Sequence, residues 1–117
     1  MKRDMDLARA ILIEIEKKPY DMDCHDIKID GYSQDTITYH VMLMNEAGLI
    51  EALDLSSNSG SEWKPKRLTW KGHEFLDASR NDTIWNQAKK KISESGLSFS
   101  FDIMYKALLN IINGEFS

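Results

Sequence analysis

Ser33-Gln34-Asp35-Thr36-Ile37-Thr38-Tyr39-His40-Val41, running on through Met44 to Ala47-Gly48-Leu49-Ile50, is the stretch that decides how this chain folds. Ser33 is a good helix N-cap, and Asp35 puts a carboxylate in the first turn, where the helix dipole favours it. Ile37, Val41 and Met44 then fall on one face, with His40 beside them. Gly48 stands where a helix ends in a left-handed residue. The spacing predicts a helix over 33–47, and the apolar alternation from Leu49 to Leu55 predicts a strand directly after it.

Downstream, Ser56 to Glu62 is too polar to pack a core and reads as a flexible hairpin tip. Trp63 to Thr69 is the return strand, with Pro65 confined to its edge or start. Thr69 can cap a helix that opens at Trp70-Lys71-Gly72 and runs through Phe75 and Leu76. Ala78, Trp85, Ala88 and Ile92 can prolong it, a break near Asn81-Asp82 being the equal alternative. Gly96 ends that segment. Ser98 or Ser100 caps a final helix with Phe101, Met104, Tyr105, Leu108, Ile111 and Ile112 on one face. Upstream, Leu7, Ala8, Ile11, Leu12 and Ile15 form the stripe of a helix over 4–18, opened by Asp4 and Asp6 and stopped by Pro19. Residues 20–32 are irregular and polar. Ile27 and Ile29 suggest a short strand among them, and Asp30-Gly31 suggests a turn.

Helix, short strand, helix, strand, polar tip, strand, helix is the order of a winged helix. The expected fold is therefore α+β and mostly helical: a winged helix-turn-helix-like domain over residues 1–96, with a two-stranded β-hairpin as its wing. An additional C-terminal helix over 97–117 packs on the same domain or on a dimer partner. The 33–50 stretch resembles the recognition helix of small bacterial winged-helix regulators. Arg67-Leu68-Thr69-Trp70-Lys71-Gly72 resembles the Leu-Thr-x-x-Gly junction that closes their wing. A closer resemblance covers most of the chain. Lys2 to Leu7, Asp30 to Ser33, Tyr39-His40 with Ala47 to Ile50, Arg67 to Asp77, and Arg80 to Trp85 are similar to the uncharacterised bacterial and prophage family known as domain of unknown function 2513. That resemblance implies a phage-linked or mobile-element origin, and it implies no activity.

Composition sets outer bounds. A chain of 117 residues, 42% of them hydrophobic, fits one domain with a modest core. Its apolar runs are too short to span a membrane, and the charged start Met1-Lys2-Arg3-Asp4 is not that of a signal peptide. Cys24 is the one cysteine and cannot staple the fold alone, so a reducing, cytoplasmic setting is expected. The net charge of −4 argues against a polybasic binder but is unevenly spread: −6 over residues 29–63 and +5 over residues 64–91. Cys24-His25, His40 and His73 match no zinc spacing, and the catalytic Gly-rich and His-containing motifs are missing. No metal, cofactor or enzymatic activity is expected.

The positive segment makes double-stranded DNA the first partner to consider. Gln34, Thr38, Tyr39 and Asn45 would meet base edges from an exposed helix face, while Lys64, Lys66, Arg67 and Lys71 at the wing would meet phosphates. Against this, the helix face carries Asp35 and Glu46 and no cation. The rival is a protein–protein interaction module that keeps the winged-helix fold without binding DNA. His40 is expected to be a hydrogen-bonded packing residue, and Trp63, Trp70 and Trp85 to be core residues, an exposed Trp pointing instead to a partner surface. Phe101, Met104, Leu108, Ile111 and Ile112 must be buried, either in the same chain or in a homodimer interface.

Overall fold

The computed structural model describes residues 1–19 and 23–114, so the part of the irregular stretch at 20–22 lies outside it. Among the described residues the elements are α1 (Met5–Lys17), α2 (Gln34–Glu46), β1 (Ile50–Asp54), β2 (Trp63–Leu68), α3 (Trp70–Ser79), α4 (Asp82–Ser95) and α5 (Phe101–Gly114). The architecture is α+β and mostly helical, with β1 and β2 forming a two-stranded antiparallel sheet. The chain divides into two compact units, Met1–His73 and Glu74–Ser117.

In the first unit the expected caps form. Asp4 Oδ1 accepts from the Leu7 N–H at 3.1 Å, and Ser33 Oγ accepts from the Thr36 N–H at 3.2 Å. The α1 stripe of Leu7, Ala8, Ile11, Leu12 and Ile15 is buried, as are Ile37, Val41 and Met44 of α2. Both helices and the hairpin strands pack together around them. His40 is 2% exposed and joins the helices. Its Nε2 accepts from the Asp4 N–H at 2.8 Å, and its Nδ1 donates to the Thr36 carbonyl at 2.8 Å. A backbone N–H only donates and a carbonyl only accepts, so each ring nitrogen has one possible role. Tyr32 donates its hydroxyl to Asp4 Oδ2 at 2.9 Å, and this bond to a carboxylate holds its phenol above the ordinary value. His40 is the packing residue its position suggested.

The short strand expected at Ile27 and Ile29 is absent; residues 24–29 are irregular. Ile27 is buried, and the His25 N–H donates to the Pro65 carbonyl at 2.8 Å. Pro65 explains why pairing goes no further. The N and C=O of one strand residue point to the same side. Its carbonyl faces the irregular segment, but it has no N–H to add to a ladder there. The same orientation keeps the missing donor away from β1. The tip is closed by reciprocal bonds between Ser57 and Gly60, at 2.9 and 3.0 Å.

In the second unit the break near Asn81 is real: Asn81 Oδ1 accepts from the Ile84 N–H at 3.0 Å and starts a new helix. Gly96 ends α4 with φ of 74°, and Ser100 Oγ accepts from the Ile103 N–H at 3.2 Å to open α5. α5 packs on α4. Phe75 meets Trp85 and Phe101 edge-on, with centroids 6.2 and 5.4 Å apart, and stacks on Tyr105 at 6.3 Å. Leu76, Ala88, Met104 and Leu108 are fully buried.

Two glycines of the first unit are needed for different reasons. Gly48 has φ of +78°, and a Cβ added there would meet nothing within 4 Å. Gly48→Ala should therefore cost only the left-handed strain, about 1 kcal/mol. A Cβ on Gly72 would overlap the backbone carbonyl of Leu49, which cannot rotate away. Alanine gains about 1 kcal/mol of helix propensity, but overlap with backbone outweighs that gain. Gly72→Ala should destabilise by about 2 kcal/mol or more. Urea melting of both variants checks the order; a Gly72→Ala protein as stable as wild type would contradict the close approach.

Candidate functional site

The two sequence motifs around Gly48 and Gly72 meet in space. α2 ends in a Schellman turn: the Gly48 N–H donates to the Asn45 carbonyl at 3.1 Å and the Leu49 N–H to the Met44 carbonyl at 3.0 Å. The junction after β2 closes on this turn. The Thr69 N–H donates to the Leu49 carbonyl at 3.0 Å, and the Thr69 hydroxyl donates to the Gly48 carbonyl at 2.6 Å. The same hydroxyl oxygen accepts from the Gly72 N–H at 3.1 Å, capping α3. Lys71 Nζ reaches the Ala47 carbonyl at 3.2 Å, where a cation suits the helix C-terminus. Leu68 is buried opposite Ile50, and Gly72 lets the backbones touch. Each fixed position of Leu-Thr-x-x-Gly thus has a physical task.

The hairpin cations carry their own counter-charges. Lys64 Nζ lies 2.8 Å from Asp26 Oδ1 and 3.5 Å from Glu62 Oε1. Its donated hydrogen bond, then its charge, hold the Asp26 carboxyl below the ordinary range; Asp26 in turn pushes the Lys64 ammonium up. Arg67 grips Glu51 with both arms of its fork, Nη2 to Oε1 at 2.6 Å and Nε to Oε2 at 3.0 Å. It also donates from Nη1 to the Leu68 carbonyl at 3.0 Å. Lys66 has no ion pair among the described residues. Such exposed pairs are screened by solvent and add little stability, but they place carboxylates where a phosphate would have to come. Lys71 is spent on α2.

The exposed face expected of α2 needs correction. Gln34 is exposed, but Tyr39 is half-buried with its ring edge-on to His40 at 5.8 Å. Thr38 is 6% exposed, inside the packed side of the helix. Asn45 uses its Oδ1 to accept the Ala52 N–H at 3.0 Å, tying α2 to β1. Asp35 and Glu46 remain exposed. Residues 1–73 carry ten Lys and Arg against thirteen Asp and Glu. Large apolar groups are exposed there too: Trp70 at 79%, Leu53 at 40% and Leu55 at 42%. Trp85 is the core residue expected, Trp63 is half-buried, and Trp70 overturns the core expectation.

Of the α5 stripe, Met104 and Leu108 are fully buried, at 0% exposure, so they are not open to a second subunit; Phe101, Ile111 and Ile112 are half-buried. Among the described residues no three His, Cys, Asp or Glu side chains gather to hold a metal, and no helix is long and apolar enough to cross a membrane.

Fold and site together define a mostly helical α+β protein whose hairpin is latched to the end of the preceding helix. The chain belongs to the family described as "Hypothetical protein (DUF2513)", which matches residues 2–98 and stops before α5. It is 39% identical over 114 residues to a Haemophilus influenzae relative named "Uncharacterized protein", with 97% of each chain covered. No solved structure matches it.

The Lys64–Asp26 pair is directly testable. A carboxyl with a lowered pKa contributes stability above its unfolded value and loses it as pH falls through the folded value. Carboxyl-detected NMR titration should find Asp26 below the ordinary range in the wild type and back within it in Lys64→Ala. An Asp26 that titrates identically in both proteins would show the pair does not form.

Proposed function

We propose that this protein is a non-enzymatic, winged-helix-like interaction module that binds another protein through its hairpin and the start of α3, rather than a DNA-binding regulator. The observation that carries the reading is the neutralised wing. Lys64 and Arg67 already hold Asp26, Glu62 and Glu51. A phosphate arriving there meets as many carboxylates as cations, and nothing on α2 offsets them. Trp70, Leu53 and Leu55 support the positive half of the reading. Trp is among the residues most enriched in energetic hot spots, and an exposed Trp is the strongest of these three signals.

The element order and the unpaired Lys66 favour the DNA reading, which the same experiment decides. Fluorescence anisotropy with random duplex DNA should show no salt-sensitive binding near physiological ionic strength. A log–log salt slope near −3, flattened by replacing Lys64, Lys66 and Arg67 with Ala, would correspond to about three phosphate contacts and overturn the proposal. On the protein side, Trp70→Ala should leave the melting temperature within a few degrees of wild type, because the side chain is exposed. It should also weaken capture of the cellular partner by about 2 kcal/mol. Unchanged capture would remove α3 from the interface.

A further inference from the structure

We propose that the groove between the end of α1 and β2 binds a small phosphate ester carrying free hydroxyls, of the size of a sugar phosphate or mononucleotide. This site is separate in chemistry from the protein-binding reading and does not rest on it. The groove is open to solvent on one side and offers about 530 Å³, within the range of small-molecule sites. Three cations line it, Lys18 from the end of α1 and Lys66 and Arg67 from β2, with His73 of α3 as a further ring donor. Ile15 and Leu68, both almost fully buried, contribute to an apolar floor.

The cations share the groove because of the hairpin's register. Glu51 faces Arg67 and Ala52 faces Pro65, so Lys66 is an extra residue in β2. In a regular strand Lys66 and Arg67 would point to opposite faces. The bulge breaks that alternation and brings both side chains to one groove. Lys66 and Lys18 have no ion pair among the described residues, unlike Lys64. Three of the five Arg67 N–H donors are engaged by Glu51 and the Leu68 carbonyl, which leaves two for an anion.

Two features oppose an anion and narrow its identity. The C-terminal end of α1 contributes about half a negative charge. Glu16 also lines the groove. Lys18 at the α1 side and Lys66 at the β2 side offset both, and Arg67, whose charge Glu51 already balances, adds its two remaining N–H donors; the Glu16 carboxylate accepts hydrogen bonds and repels a second anion. A ligand with one phosphate and neighbouring hydroxyls matches that polarity.

NMR titration of the full chain at constant ionic strength tests this with inorganic phosphate, ribose 5-phosphate and adenosine monophosphate. Saturable shifts should centre on Lys18, Lys66, Arg67 and His73, and both esters should bind more tightly than inorganic phosphate. A tighter nucleotide than sugar phosphate would assign the ligand to the nucleotides, and equal affinities to sugar phosphates. Lys66→Ala should weaken ester binding about tenfold or more while keeping a dispersed spectrum, and Lys66→Arg should restore it. Non-saturating shifts spread over all lysines, or ester affinity unchanged in a folded Lys66→Ala protein, would overturn the site. Esters no tighter than inorganic phosphate would overturn the hydroxyl assignment to Glu16.

Discussion

Thr69 closes the first unit onto itself. Its N–H and hydroxyl satisfy two successive carbonyls of the Gly48-Leu49 turn, and its hydroxyl oxygen then starts α3. Those carbonyls lie just past the end of α2, in the turn that leads into β1, outside the helix's own bonding pattern. The latch therefore does several things at once. It completes the C-terminus of α2, sets the pairing of Ile50 with Leu68, and fixes where α3 can begin. Gly72 is the steric condition for it, since any side chain there would occupy the space of the Leu49 carbonyl.

The pattern of charge follows from that closure. With Ile50 opposite Leu68, Glu51 must face Arg67, and the bulge at Lys66 turns the strand so that Lys64 meets Leu53 and lies within reach of Asp26. A hairpin rich in cations in the sequence thus becomes nearly neutral in the fold. Lys66, the residue the bulge sets apart, is left for the groove beside α1. Exposed Trp70 follows immediately from the latch, as the first residue of α3. The features that favour a protein partner at the hairpin and an anion in the groove are thus consequences of one local arrangement.

Much of this was legible in the residues. Caps at Ser33 and Thr69, a cap at either Ser98 or Ser100, the left-handed Gly48, the α1 stripe and the two hairpin strands all follow from local rules that need no knowledge of the partner surface. The Glu51–Arg67 pair was within reach, because opposite charges one rung apart on a hairpin can be read once the register is drawn. Asp26 with Lys64 was not, since these residues are far apart in sequence and meet only through the path of an irregular segment. No strand forms at Ile27 because Pro65, whose carbonyl takes the His25 N–H, has no N–H to offer a second ladder on that side of β2. Thr38 and Asn45 lack the exposure expected of them because a helix flanked on one side by α1 and on another by the hairpin has little open face. Trp70 is exposed despite its size because the latch, and not its hydrophobicity, sets where it stands.

Native-state hydrogen exchange at the Thr69 amide tests the latch most directly. If the bond to Leu49 holds the first unit closed, this amide should exchange only through the opening that also releases the buried amides of α2. Its protection should match theirs in free energy and fall with theirs in low concentrations of urea. A Thr69 amide that exchanges by local fluctuation, far faster than Val41 or Met44 and insensitive to urea, would contradict the account.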